Sequence, residues 1–456
     1  MLTKEYRPYS PHQVLILPPS LQEWLPEGHL AYFISDLVDS FDLSAIEAAY
    51  EDERRGGPPY HPAMMVKVVL YAYCTGVYSS RRIARRLHED VAFRVLAAGN
   101  APDFRTVSDF RKRHLAALSG LFTQGLALAQ QAGLVTLGHV ALDGTKLRAN
   151  ASKHKAMSYG RMQTEEARLA AEVAALLQRA EQTDAAEDAR YGPDGSGEDL
   201  PAELRRREDR LRKIREAKAA LETRAKEQAE AKQAQRAVEA PAGPRRGRPP
   251  KPPRTTPRAR DQYNFTDPES RIMKSADGAF IQAYNAQVAV DAAHQIIVAA
   301  DVSAQAADAP HLVPMVESIE QNTGCRPTRL SADAGYFSDP NVTALTDCQI
   351  DAFIPPDKLK HTQPLPPAPR GRIPQHLSVR DRMRRKLQTK AGRKVYSKRK
   401  AIVEPAVGQI KTARGFVRFL LRGLAKVRGE WRLVSLAHNL CKLFQARPRV
   451  LAVLSG

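Results

Sequence analysis

Apolar and polar positions alternate at helical spacing through the first 133 residues. Pro62 to Gly76 is an apolar run with a proline start and a glycine stop, which predicts a helix. Ser79-Ser80 opens a short basic helix, Arg81-Arg82-Ile83-Ala84-Arg85-Arg86-Leu87, and Asp90 to Ala98 forms another, closed by Gly99. Thr106-Val107-Ser108-Asp109 fits a capping box, with Thr106 as the cap and Asp109 reaching back. The helix it opens carries Arg111, Lys112, Arg113 and His114 in its first turns. A capped basic helix after short helices suits a helix-turn-helix DNA reader. It equally suits any small bundle with basic surface positions.

The pattern then changes period. His139 to Asp143 reads as a short buried strand ending at Asp143-Gly144. Phe280 to Asp291 and His294 to Val302 are rich in β-branched residues and predict a hairpin. A helix follows from about Asp308 to Gln321. Arg329 to Asp333 is a further strand, again ending in an aspartate, and Ala352 to Ile354 is a fifth. Helices fill roughly 397–446. This order predicts a mixed α/β layer fold.

A long insert interrupts the strands at about 160–262. Leu169, Val173, Leu176 and Ala180, then Leu204, Leu211, Ile214 and Leu221, recur at heptad-like spacing. They predict two helices in an antiparallel hairpin, the second so charged that it stays largely solvated unless something covers it. A proline-rich basic stretch follows, and Arg246-Gly247-Arg248-Pro249 within it resembles the core of an AT-hook. An extended Arg-Gly-Arg fits the narrow, strongly negative minor groove of A·T-rich DNA. The plain alternative is a basic linker. The predicted organisation is a helical region at 1–133, a mixed α/β core at 134–159 and 263–456, and the hairpin and linker at 160–262.

Charge sharpens this picture. The chain of 456 residues carries 70 Lys+Arg and 50 Asp+Glu, a net +20. Residues 370–456 hold 23 of the cations and only three acids (Asp381, Glu404 and Glu430), so they account for the whole surplus. So local a block implies a polyanionic partner, nucleic acid before lipid, since no amphipathic anchor accompanies it. The four cysteines are widely spaced with no zinc-finger pattern, which excludes a disulfide scaffold and points to a reducing compartment. No apolar run of membrane-spanning length and no signal segment is seen. The expected setting is cytoplasmic, associated with the nucleoid.

Asp143 and Asp333 each end an apolar strand and are followed by small residues. Either alone reads as a turn aspartate. Glu404 alone reads as an ordinary charge near a helix start. Together, two strand-end aspartates in one sheet and a glutamate from a following helix make a hard-oxygen set suited to magnesium. Two such ions can activate an attacking hydroxyl and stabilise the leaving oxygen in phosphodiester cleavage.

Asp143-Gly-Thr-Lys, Ala332-Asp333-Ala-Gly-Tyr-Phe-Ser and Tyr396-Ser-Lys-Arg-Lys-Ala-Ile-Val-Glu404-Pro resemble the three acidic blocks of bacterial insertion-sequence DDE transposases. Asp103 to His114 is similar to that family's N-terminal helical region. Tyr263 to Lys274 and Tyr284-Asn-Ala-Gln287 look like its blocks before the second aspartate. The resemblance implies an RNase H-like core with Asp143, Asp333 and Glu404 as catalytic metal ligands. Mg²⁺ is the implied cofactor, with Mn²⁺ as substitute. It implies a Tyr, Arg and Lys around the glutamate that hold phosphate. Tyr396 and Lys411 match. The arginine position is divided between Arg399, three after Tyr396, and Lys400, four before Glu404. Pro405 implies that the helix begins at Glu404 or kinks there.

The implied function is cutting and joining of double-stranded DNA. Arg111, Lys112, Arg113, Arg246 and Arg248 would contact the element ends, in a homodimer or larger assembly. The rivals are a non-catalytic DNA-binding regulator derived from a transposase, an inactive relic of one, and an RNase H-like magnesium nuclease. Trp431 and the His438-Asn439 pair read as core packing rather than as ligands.

Overall fold

A computed structural model describes residues 20–51, 58–191, 202–238, 251–275, 277–357, 367–374 and 376–455. Seven helices come first: α1 (Leu30–Asp39), α2 (Ser44–Glu51), α3 (Pro62–Cys74), α4 (Ser80–Glu89), α5 (Val91–Leu96), α6 (Phe104–Arg113) and α7 (Leu115–Gln131). The predicted boundaries hold at α3, which begins on Pro62 and is followed by Gly76 in the left-handed region. At α6 they shift. The cap is Asp103, whose carboxylate accepts from Thr106 N, so Thr106 lies inside the helix. An aspartate three residues upstream competes for the same orphan N–H groups, and it wins.

The strands are β1 (Val140–Arg148), β2 (Ala156–Ser158), β3 (Gln262–Asn264), β4 (Arg271–Lys274), β5 (Phe280–Asp291), β6 (Ile297–Ser303), β7 (Arg329–Ser331) and β8 (Asp351–Phe353). Six of them form one sheet. β5 lies antiparallel to β1, β1 parallel to β7, and β7 parallel to β8. β4 and β6 share the other edge of β5 end to end, pairing with Phe280–Ala283 and with Asn285–Val290. A three-stranded antiparallel unit followed by two parallel strands is the RNase H-like mixed sheet. β2 and β3 form a separate two-stranded ribbon.

Two helices, α8 (Tyr159–Tyr191) and α9 (Ala202–Val238), leave from that ribbon and pair with each other. Met162, Leu169, Leu211, Ile214, Ala217 and Leu221 make a small core of their own. Glu166 binds Arg215 and Lys218 across the seam. Of the expected seam residues, Leu169, Leu211, Ile214 and Leu221 lie in this core. Arg246 and Arg248 lie outside the described residues.

The remaining helices are α10 (Leu312–Thr323), α11 (Asp339–Asp347), α12 (Val379–Gln388), α13 (Lys390–Gly408), α14 (Leu424–Gln445) and α15 (Arg447–Leu454). α14 joins the two halves of the molecule. It packs on α3 and α7 on one side and on β6 on the other, so one hydrophobic core runs from Ala31 to Val450. Gly125 of α7 permits the close crossing, because a Cβ there would stand 2.7 Å from Leu436 Cδ1. Trp431 is fully buried, and its Nε1 donates to Gln287 O, fixing α14 against the middle of β5.

β6 is an edge strand, and its outer backbone is satisfied by side chains. Asn439 accepts from Ile297 N and donates to Ile297 O, and Arg428 Nε donates to Val302 O. That blunts an edge that would otherwise recruit another strand. His438 is buried beside it. Arg414 can only donate, so His438 Nδ1 accepts from it and Nε2 donates to Gln295 O. Burial holds the imidazole neutral and pushes its pKa down to about 3.

Candidate active site

β1 does not stop at Asp143. It continues to Arg148, with Asp143 opposite Val288 of β5. Gly144 is therefore not a turn glycine. A Cβ at this position would lie 2.6 Å from Asp308 Oδ1 and 2.7 Å from Gln287 Nε2. Gly335, two residues after Asp333, is crowded by the same side chain, with Asp308 Oδ2 at 3.2 Å from its notional Cβ. The small residues that follow the two aspartates make room for a third.

Asp308 is firmly held. Its Oδ1 accepts from Lys146 Nζ at 3.0 Å, Asn285 Nδ2 at 2.7 Å and Gln287 Nε2 at 3.0 Å. Gln287 in turn accepts from the hydroxyl of the fully buried Tyr336. These residues form a polar floor under both backbones.

Asp333 caps the short turn after β7, its Oδ1 accepting from Gly335 N at 2.9 Å. Asp143 Oδ1 accepts from Gly144 N at 3.1 Å and lies 3.7 Å from Arg399 Nη1. Burial raises the Asp143 pKa to about 6, against Arg399, which lowers it, while Asp333 and then Asp308 push it up. The two aspartates thus share one electrostatic neighbourhood, and Arg399 is the counter-charge. Arg399 is only 11% exposed, and its Nη1 is buried with no hydrogen-bond partner.

α13 crosses β1 and β5 and, with the turn that follows it at Gln409–Ala413, carries the remaining candidates. Tyr396 is half-buried beside Arg399, and burial raises its pKa. Of the two candidates for the arginine position, Lys400 is exposed and Arg399 lies beside Asp143. Lys411 Nζ donates to Thr145 Oγ1 at 3.1 Å.

The helix neither starts nor stops at Glu404. It passes through Pro405 and ends in a π-turn at Gln409–Ala413. Proline cannot donate to the carbonyl four residues back. That carbonyl, Ala401 O, receives Gln295 Nε2 instead, at 3.0 Å. The β5–β6 turn thereby repairs the break and keeps α13 in place.

Glu404 itself is exposed, with no hydrogen bond or ion pair among the described residues. No group of three or more His, Cys, Asp or Glu side chains able to hold a metal ion occurs among those residues. The structure therefore brings Asp143, Asp333, Arg399 and Tyr396 together. It carries Glu404 on the same helix without closing a three-carboxylate cluster.

The N-terminal candidates divide. Arg111 is 7% exposed, and its guanidinium donates to Tyr73 OH, Tyr78 O and Ser80 Oγ. It locks α6 onto the α3–α4 corner, which corrects its reading as a DNA contact. Lys112 is exposed beside Asp109. Arg113 stacks on Tyr50 and donates to Ala49 O.

Residues 19–113 match the family model described as "Transposase domain (DUF772)", and residues 253–440 match "Transposase DDE domain". The first match covers α1 to α6, and the second runs from before β3 into α14. The chain belongs to the insertion-sequence DDE transposases. No curated protein and no solved structure matches it.

In this transposase the strand carrying Asp143 lies outside both matched stretches, and the sheet places it between the two matched strands β5 and β7. Asp308 had no clear signal in the sequence beyond a helix start. Asn285 and Gln287 were visible as a block, and the structure gives the block its purpose: both hold Asp308. Among the described residues no helix is long and apolar enough to cross a membrane.

Proposed function

We propose that this DNA transposase binds the terminal inverted repeats of its element, hydrolyses a phosphodiester at each end, and joins the freed 3′-hydroxyls to target DNA. The observation that carries this reading is that Asp143 and Asp333 share one electrostatic neighbourhood, with the buried, hydrogen-bond-free Nη1 of Arg399 3.7 Å from Asp143, on a helix that also bears Glu404.

The donor chemistry fits the divalent metal ions that DDE transposases generally use. The carboxylates are hard oxygen ligands, with no thiolate or imidazole among them. Asp143 and Asp333 would hold Mg²⁺ or Mn²⁺, with Glu404 turning in from α13 as the third ligand. When bound, the metal supplies charge stabilisation for the attacking and leaving oxygens. The chain's own residues do the positioning. Arg399, freed from Asp143, holds a non-bridging phosphate oxygen, and Tyr396 fixes the guanidinium plane. Lys411 keeps β1 and the end of α13 in register through Thr145. The Asp308 floor fixes the backbone under both aspartates. Joining is transesterification at phosphorus and needs no nucleotide cofactor. Two ends must be held together, so a dimer or larger assembly on DNA is part of the proposal. Lys112, and the linker arginines 246 and 248, remain candidates for end contacts.

The test is to incubate the protein with a plasmid carrying its gene and native flanks, with Mg²⁺ or Mn²⁺, and to map new 3′ ends. Wild type should cut at a defined repeat boundary and yield joined products. Asp143→Asn, Asp333→Asn and Glu404→Gln should each lower cutting by about 10³-fold or more. Binding to the flanks with no cutting by wild type would leave a DNA-binding regulator. Cutting without joining would leave a nuclease.

A further inference from the structure

Beyond the aspartates, β1 ends at a groove that the proposed chemistry does not use. Its volume is about 680 Å³. Arg148, Lys153, Lys155 and Arg418 line it, all exposed, and none forms an ion pair among the described residues. Arg148 and Arg418 are direct partners in an isolated parallel bridge. Like charges placed opposite each other repel and cost stability unless an anion covers them. The nearby acid, Asp277, is engaged by Ser275 Oγ.

Two further features narrow the ligand. Phe280, on the rim, is 66% exposed, the most of any large apolar residue described. A ring left in water at a cationic groove is a platform for a flat partner. Gln282, on the same lining, is 6% exposed, and its Oε1 accepts no hydrogen bond. The orientation of that amide follows from its neighbour. Ser270 Oγ donates to Asp267 O, so it must accept from Gln282, and Nε2 is the atom that faces it. A buried acceptor is thereby left without a partner.

We infer that this groove receives an unpaired nucleotide of a DNA strand. Its phosphates lie on the Arg148–Arg418 pair and the two lysines. Its base stacks on Phe280, and an exocyclic amine of that base donates to Gln282 Oε1. Arg148 is five residues beyond Asp143 on the same strand, about 17 Å away. That separation equals roughly five nucleotides of one DNA strand. The inference rests on the transposase reading for its biological setting, and the strand it takes would be one splayed from the duplex near the cut.

The experiment compares binding of a blunt duplex with the same duplex bearing a three-nucleotide tail of dA or dT, by fluorescence anisotropy in EDTA so that no cutting intervenes. Wild type should prefer the dA tail over blunt DNA, and over the dT tail, which lacks an exocyclic amine. Phe280→Ala should remove about tenfold of the preference for a tail, while Phe280→Trp keeps it. Gln282→Leu should equalise dA and dT tails. Arg148→Gln with Arg418→Gln should lower the slope of log K against log salt by about one to two. Equal binding of tailed and blunt DNA by wild type, or an unchanged preference in Phe280→Ala, overturns the inference. Phe280 is exposed, so loss of folding does not confuse that arm. Cutting by wild type in Mg²⁺ without any tail preference defeats the groove alone. Tail preference without cutting defeats the transposition chemistry and keeps the groove.

Discussion

The N-terminal helices and the α8–α9 hairpin are both helical additions to one sheet, yet they are attached in opposite ways. The first shares its core with the sheet. α14 packs on α3 and α7 with one face and on β6 with the other, and the apolar cluster is continuous. The second has a separate, thin core of six buried residues and a surface laced with ion pairs such as Glu166–Lys218 and Arg168–Glu172. A shared core makes two regions unfold as one, whereas a private core lets a region be removed. A helical region read from sequence as a DNA-binding unit is here also the foundation of the catalytic sheet.

The largest test of that difference is truncation. A chain starting at residue 134 would expose the face of α14 that α3 and α7 cover. We expect it to be insoluble or unfolded, judged by circular dichroism and a cooperative thermal transition. A soluble, cooperatively folding fragment would show that the core is divisible after all.

Next in size is Trp431→Ala. It empties a fully buried site at the junction and removes the donor to Gln287 O. The expected loss is about 3–5 kcal/mol in denaturant unfolding. Because Gln287 also supports Asp308, cleavage should fall in the folded fraction too. A loss below about 1 kcal/mol would mean that the junction carries little of the stability.

A pH experiment probes the same junction. Glu430 is fully buried, and its carboxylate accepts from Leu420 N and Leu421 N. Burial raises its pKa from 4.5 to about 7, against the backbone donors and Arg111, which lower it. In the unfolded chain the proton leaves near 4.5, while the folded protein keeps it to about 7. Between those values the native state binds more protons, so stability falls as pH rises. The contribution is fully present below 4.5 and is lost by about pH 7, on the order of 3 kcal/mol. His438 acts oppositely, since its pKa is lowered, and costs stability as pH falls below about 6.5. The measurement is therefore the difference between wild type and Glu430→Gln across pH 4.5 to 7.5. A flat difference would place a permanent charge at this site.

What was legible in the sequence follows the same division. Strands with β-branched runs, such as Phe280–Asp291, and the heptad seam of the hairpin follow from local periodicity. Three kinds of feature do not. Gly144 reads as a turn signal because its neighbour Asp308 is 164 residues away in the chain. Arg111 reads as a surface cation because its partners Tyr73 and Tyr78 come from another helix and the loop after it. Pro405 reads as a helix start or kink at Glu404 because the group that serves the freed Ala401 carbonyl, Gln295, is supplied by a distant turn. Each is a matter of long-range partnering, and Gly144 and Pro405 fall at or beside the candidate site. Asp143 and Asp333 could be picked out because small residues follow both; the reason for those small residues needed the fold.

The smallest expected effect completes the comparison. The chain leaves for the hairpin and returns at nearly the same place: Tyr159 N donates to Asp261 O at 2.8 Å and Gly160 N to Ala259 O at 3.0 Å. Replacing residues 161–258 by a short Gly/Ser linker would therefore bridge adjacent ends without stretching the ribbon of β2 and β3. Closing a short loop instead of a long one costs no more chain entropy, since each doubling of loop length adds only about 0.6 kcal/mol. The pieces lost from the main body are few: Arg224 on Pro268 O, Glu222 on the Tyr159 hydroxyl, and the packing of Met157 and Tyr263 against the hairpin core. We expect the midpoint of thermal unfolding to move by no more than a few degrees and the near-ultraviolet signature of buried Trp431 to persist. DNA affinity should fall in a salt-dependent way, because the exposed cations of α9 leave with the hairpin. A collapse of the main transition would show that the hairpin stabilises the sheet despite its private core. An unchanged transition with lost end-specific cutting would assign the hairpin to DNA rather than to the fold.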